Sequence, residues 1–147
     1  MHRGTEKGRS GSTRPPHPLP PPWLKLTPEE IENIIVSLAR KGYMPSMIGL
    51  ILRDQYGVPL VKPILGKSIL QVLKEHNLEP KIPEDLYNLM KRAEKIRRHL
   101  EEHPKDKVSI RGLQLVESKI YRLIKYYKRR GILPPDYKYR PEKIMIA

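Results

Sequence analysis

The sequence has no cysteine, no phenylalanine and a single tryptophan. The missing cysteines exclude disulfide scaffolds, cysteine-ligated zinc and thiol catalysis, and suit a reducing compartment. No apolar run approaches the ~20 residues that span a bilayer. Arg3, Lys7, Arg9 and Arg14 precede no apolar stretch, so the start of the sequence does not read as a secretory signal. Neither a membrane partner nor export is therefore expected. The 147 residues suit one small domain, or one with a helical appendage. So short a chain buries a smaller share of its surface than a large enzyme does, which argues against a deep active site and a small-molecule substrate.

What is there is positive charge. Lys and Arg number 29 against 16 Asp and Glu, a formal net charge of +13. Residues 1–22 hold four basic and one acidic residue, 23–80 seven and six, 81–104 six and five, and 105–147 twelve and four. The middle is near neutral and the surplus sits at the two ends. Solubility alone needs a net charge of only ~2–8 on a small domain. A surplus this large on so small a body repels itself unless a polyanion neutralises it, so nucleic acid is the expected partner.

The patterning predicts an all-α chain with no strand alternation and no repeat. Residues 1–22 end in six prolines over positions 15–22, which predicts an extended basic arm, unordered in isolation. Thr27-Pro28-Glu29-Glu30 is a capping box with proline at the first helical position. Ile31, Ile34, Ile35 and Leu38 then share one helix face, and Gly42 ends it. A second short helix opens at Pro45, buries Ile48, Ile51 and Leu52, and closes at Gly57. Pro59, Pro63 and Gly66 break the next stretch. A third runs from about Ser68 to Asn77 with Ile69, Val72 and Leu73 inward. Residues 23–80 thus read as a three-helix bundle. In residues 81–132, Leu86, Leu89, Met90, Ala93, Ile96 and Leu100 hold helical spacing until His103-Pro104 interrupts them. Leu113, Val116, Ile120, Leu123, Ile124 and Tyr127 mark a second long helix, stopped at Gly131. The short connection makes the pair an antiparallel hairpin. Residues 133–147 read as an irregular basic tail that orders, like the arm, in crevices of RNA.

Two catalytic patterns can be set aside on chemistry. His99-Leu100-Glu101-Glu102-His103 fits H-x-x-E-H, but zinc needs a third ligand and a walled cavity. His103, Asp106 and Ser109 carry the residue types of a hydrolase triad, but a triad needs the imidazole between serine and carboxylate, with an oxyanion hole. No catalysis and no cofactor are expected. The same polar groups on a protruding loop suit hydrogen bonding in the shallow minor groove of an RNA helix, while Asp106 or Ser109 is equally placed to cap the helix that follows. Lys105 and Lys107 in the loop, then Arg111, Lys119, Arg122, Lys125, Lys128, Arg129 and Arg130, oppose only Glu117 along the last long helix. That imbalance predicts phosphate contacts. Tyr127 belongs to the apolar stripe; Tyr126 is open to either role. The rival reading is a helix-turn-helix DNA-binding regulator using Pro45–Gly57 or Ser68–Asn77 as its recognition helix. Those helices are nearly charge-balanced, with Arg53 and Gln55 the only candidate readers on the first.

His99-Leu100-Glu101, Lys105-Asp106-Lys107, Leu115-Val116-Glu117-Ser118-Lys119-Ile120 and Arg122-Leu123-Ile124-Lys125-Tyr126-Tyr127-Lys128 resemble the small-subunit ribosomal protein S-fifteen family. Gly42 through Gly57, Pro83-Glu84-Asp85-Leu86-Tyr87 and Leu133-Pro134-Pro135 resemble its archaeal and eukaryotic branch, called S-thirteen in eukaryotes. The resemblance implies early binding to small-subunit rRNA at a three-way junction of the central domain, neighbouring ribosomal proteins, an inter-subunit bridge to large-subunit rRNA, and a cytoplasmic place in the ribosome. It also implies that His99, Asp106 and Ser109 read a minor groove beside Gly112, with Arg122 and Arg129 on the basic helix. At Glu79, Pro80 and Asp85 the chain departs from bacterial members, which have a Thr-Gly pair and a Gln at the junction. Those contacts are made otherwise or not at all. The N-terminal bundle, absent from bacterial members, implies extra rRNA or protein contact.

Overall fold

The computed structural model describes residues 19–140, so most of the basic arm and the end of the tail lie outside the described residues. The described residues are all-α, as the periodicity predicts, with six helices and no strand. The chain separates between Glu79 and Pro80 into two compact units.

The first unit opens with a turn, Leu24 N–H donating to Pro21 O at 3.1 Å. The Trp23 indole N–H then donates to Gly57 O at 3.1 Å, while the ring stays 65% exposed. Helix α1 spans Pro28–Arg40. Its capping box is complete: Thr27 Oγ1 accepts from Glu30 N at 3.3 Å, and Glu30 Oε2 accepts from Thr27 N at 2.8 Å. Helix α2 (Pro45–Gln55) and helix α4 (Ile69–Glu75) pack on it, and Ser68 caps α4 by accepting from Gln71 N. Between them the structure adds α3, Val61–Leu65, where the prolines read as a break. Pro63 is tolerated because it falls in the first turn, whose amides have no intrahelical partner. Gly66, at φ 70°, ends α3 in the left-handed region that glycine enters freely. The bundle therefore has four helices, the extra one a single turn. Its core joins Ile31, Ile35 and Leu38 to Ile48, Leu52, Val58, Val72 and Leu73. At Gly49, mid-α2, a Cβ would stand 3.4 Å from Ile69 Cδ1 of α4, in van der Waals contact.

The second unit is the hairpin. Helix α5 spans Glu84–Glu102 and helix α6 Lys107–Arg129. Leu86, Met90 and Ala93 of α5 meet Val116, Ile120 and Ile124 of α6, with Leu133 closing the cluster. At the end away from the loop, the Tyr127 hydroxyl faces both Asp85 carboxylate oxygens, at 2.8 and 2.7 Å. Burial first, and then this hydrogen bond, push the Tyr127 phenol up to about 12. Midway, Arg97 of α5 pairs with Glu117 of α6.

Residues 133–140 are irregular, as expected, and pack back on their own hairpin. Leu133 is buried, Tyr137 and Tyr139 are half-buried against the core, and Lys128 Nζ donates to Pro135 O. Arg97 sits over the Tyr139 ring at 5.6 Å, and Tyr139 meets Tyr121 edge-on at 5.9 Å. The cause is apolar area: three large side chains in eight residues gain more on the hairpin than in water.

Candidate nucleic-acid interface

The tip of the hairpin is organised by Asp106. His103-Pro104 ends α5 and the chain turns, Asp106 N–H donating to His103 O at 3.2 Å. Asp106 is the N-cap of α6: Oδ1 accepts from Val108 N at 3.0 Å and Ser109 N at 3.1 Å. Its Oδ2 accepts from Ser109 Oγ at 2.6 Å and lies 3.2 Å from His99 Nε2. The Ser109 hydroxyl above all, then the Ser109 amide and His99, holds the Asp106 carboxyl well below the usual carboxylate range. It is therefore ionised at any physiological pH.

Three of the residues expected at the loop, His99, Asp106 and Ser109, are thus in direct contact. The order is carboxylate in the middle, not imidazole, which is the wrong arrangement for an acyl-transfer triad. His103 is not Asp106's partner; its ring packs on that of His99 at 4.8 Å, tilted by 56°. Among the described residues, no group of three or more His, Cys, Asp and Glu is placed to hold a metal ion. Lys105 and Lys107 flank the tip, both exposed.

Along α6 several basic residues share one side, with Lys125 and Lys128 outside it. At 3.6 residues per turn, Arg111, Gly112, Leu115, Lys119, Arg122, Tyr126 and Arg129 fall within an arc of roughly 100°, off the Val116–Ile120–Ile124 stripe. Arg111 is exposed beside Gln114 at 3.3 Å, Arg122 donates to Ser118 O at 3.3 Å, and Lys119 and Arg129 are exposed. From Arg111 to Arg129 the row runs ~27 Å at 1.5 Å per residue. At its far end Arg130 covers the half-exposed Tyr126 ring at 5.3 Å, and Tyr127 packs against that ring edge-on at 5.2 Å. Lys128 lies on the other flank, tied to the tail through Pro135.

Gly112 stands apart from Gly49. It is also mid-helix, yet a Cβ at Gly112 would meet nothing within 4 Å. Glycine in a helix interior costs about 1 kcal/mol relative to alanine, and here no neighbour in the described chain requires it.

Sequence reasoning missed one feature. Lys91, Arg92, Lys95 and Arg98 line the outward face of α5, all exposed, with only Arg98 near an acid, Glu94 at 3.5 Å. A block count of six basic against five acidic residues hid them, because Glu84, Asp85, Glu101 and Glu102 gather at the helix ends. Counting charge by helix face would have found them. Among its described residues the first unit carries no such row. Arg53 on α2 is paired with Asp54 at 2.7 Å, and α2 exposes Met47 and Leu50, so it has little to read DNA with.

An antiparallel helical hairpin with a one-sided cationic row and a polar tip is a nucleic-acid-binding module. Two family models match the sequence: "Ribosomal S13/S15 N-terminal domain" over residues 1–58 and "Ribosomal protein S15" over residues 69–147. Small ribosomal subunit protein uS15 of Hyperthermus butylicus is 60% identical over 97% of this chain and 89% of its own length. Its counterpart in Staphylothermus marinus is 58% identical over 97% of this chain and 94% of its own. The chain belongs to the ribosomal protein S15 family.

Proposed function

We propose that the chain is a structural component of the small ribosomal subunit, acting in the cytoplasmic ribosome without catalysis of its own, and that it binds small-subunit rRNA through the tip and the α6 face. The observation that carries this is the arc from Arg111 to Arg129. Arg122 and Arg129 on it, with Lys105, Lys107, Arg111, Lys119 and Arg130 around it, neutralise phosphates and release counterions. His99, Asp106 and Ser109 give register at the groove, with His103 stacked behind them, and Tyr126 offers a ring to an unstacked base. The expected target is the central-domain junction, bound early in assembly, with ribosomal proteins and a bridge to large-subunit rRNA as further contacts. Lys91, Arg92 and Lys95 are a second row that suits a second RNA segment. Titration with a central-domain rRNA transcript and with duplex DNA, each at several salt concentrations, tests the reading. Tight, salt-dependent preference for the transcript is expected; preference for duplex DNA would refute it.

A further inference from the structure

The lone tryptophan of the chain is neither buried nor loose. Two hydrogen bonds fix it. The turn closed by Leu24 N–H on Pro21 O puts Trp23 at its third position. Leu24 and Leu26, on either side of the exposed Lys25, pack on the core of the first unit. The indole N–H then donates to Gly57 O, 34 residues on. Gly57, at φ 67°, comes so close that a Cβ there would stand 3.7 Å from Nε1 and 3.8 Å from Cδ1 of the ring. One edge of the indole therefore lies against the bundle, yet the residue is 65% exposed. The N–H is the ring's single polar group and is already engaged within the chain. What remains for a partner is a held π surface, met by stacking or by a cation.

The charge beside it decides between those two. Over residues 1–25, Arg3, Lys7, Arg9, Arg14 and Lys25 oppose Glu6 alone. That segment repels a cationic partner and attracts phosphates. An aromatic ring beside a cationic segment is how proteins hold single-stranded nucleic acid: bases stack on the ring and the backbone meets the cations. We propose that Trp23 is a stacking platform for an unpaired RNA base, a site additional to the α6 face, with the cations of residues 1–25 serving the phosphates of the same strand. The charge comes from residues ahead of the bundle and from Lys25, not from the helices. The choice of RNA rests on the ribosomal reading above.

Because Trp23 is the lone tryptophan, tryptophan emission reports this ring and no other. Titrating the full chain with an oligouridylate should quench that emission to saturation, and a fully paired RNA duplex should quench it far less. Affinity for labelled oligouridylate is then measured on an Arg122→Ala/Arg129→Ala chain, which weakens the competing α6 face. There Trp23→Leu is expected to lose roughly five- to 150-fold, the contribution of one stacked base. Trp23→Phe keeps a ring without the donation to Gly57 O and should retain most of the affinity. Quenching is read on the unsubstituted chain, so it decides the matter even where a variant fails to fold. Absence of quenching, equal loss from both substitutions, or no loss from either would overturn the proposal. So would emission that changes only when small-subunit proteins join the RNA, which would assign the ring to a protein. Quenching by oligouridylate without preference for the central-domain transcript would remove the α6 reading alone. Transcript preference without quenching would remove this proposal alone.

Discussion

The two units are built from the same material and face different tasks. Each buries a cluster of branched aliphatic side chains. The first surrounds its core with short helices and a near-neutral surface, seven basic and six acidic residues over 23–80. The second stretches its core along two long helices and turns cationic rows outward. A short-helix bundle hides a compact core but offers no long straight edge. A two-helix hairpin buries less per residue, yet presents a row ~27 Å long at 1.5 Å per residue. Shape and charge together separate the unit suited to a polyanion from its neighbour, because residues 81–147 carry eighteen basic and nine acidic residues against seven and six over 23–80.

The largest test of that comparison removes core from each unit in turn. Ile35→Ala and Ile120→Ala delete side chains with no exposed surface, each costing about 2–5 kcal/mol. Amide hydrogen exchange should show Ile35→Ala loosening α1, α2 and α4 while α5 and α6 stay protected, and Ile120→Ala the reverse. Loss of protection in both units together would show one cooperative body and end the comparison.

The next effect is electrostatic. Arg122→Ala with Arg129→Ala should flatten the plot of log affinity against log salt for RNA by roughly 1.4–1.8, from about 0.7–0.9 per phosphate contact. Lys41→Ala with Lys74→Ala, exposed lysines of the first unit, should leave the slope unchanged. Equal flattening would mean that both units face RNA.

Tyr127→Phe removes the donor to Asp85 and should cost the hairpin about 1 kcal/mol. The pH dependence has a definite sign. The phenol titrates near 10 when unfolded and is pushed up to about 12 when folded. Its contribution is whole below about pH 10 and fades as pH rises through about 12. Tyrosinate absorbance during an alkaline titration should lose one late-ionising phenol in Tyr127→Phe, while Tyr137 and Tyr139, also pushed up by burial, keep theirs.

The smallest effect is the most discriminating. Gly112→Ala adds a methyl group into open space and should stabilise α6 by about 0.5–1 kcal/mol. RNA affinity should fall at the same time, since the methyl group occupies the approach to the tip. A gain in thermal midpoint with unchanged binding would show that the glycine serves no partner.

Much of this was legible in the sequence because it is local. The Thr27 capping box, the isoleucine stripe of α1, and the two long stripes from Leu86 to Leu100 and Leu113 to Tyr127 are written in spacings of three and four. Features closed by long-range contact were not. Nothing nearby says that the Asp106 carboxylate reaches back to His99 and not to the closer His103; that depends on how α5 delivers its last turn. The α3 turn was hidden because Pro63 reads as a breaker unless its place within the helix is known. The tail reads as basic and irregular, and only the assembled hairpin shows the apolar surface that Leu133, Tyr137 and Tyr139 cover.

The hairpin is pinned at both ends. The loop around Asp106 joins α5 to α6 at one, and Tyr127 and Asp85, 42 residues apart in sequence, clasp at the other. Two helices tied at both ends hold a common register, and α6 from Ser109 to Tyr126 serves as a gauge ~26 Å long at 1.5 Å per residue. On the RNA-binding reading proposed above, an RNA whose two docking points were moved apart by a single inserted base pair would satisfy one end of the gauge but not both.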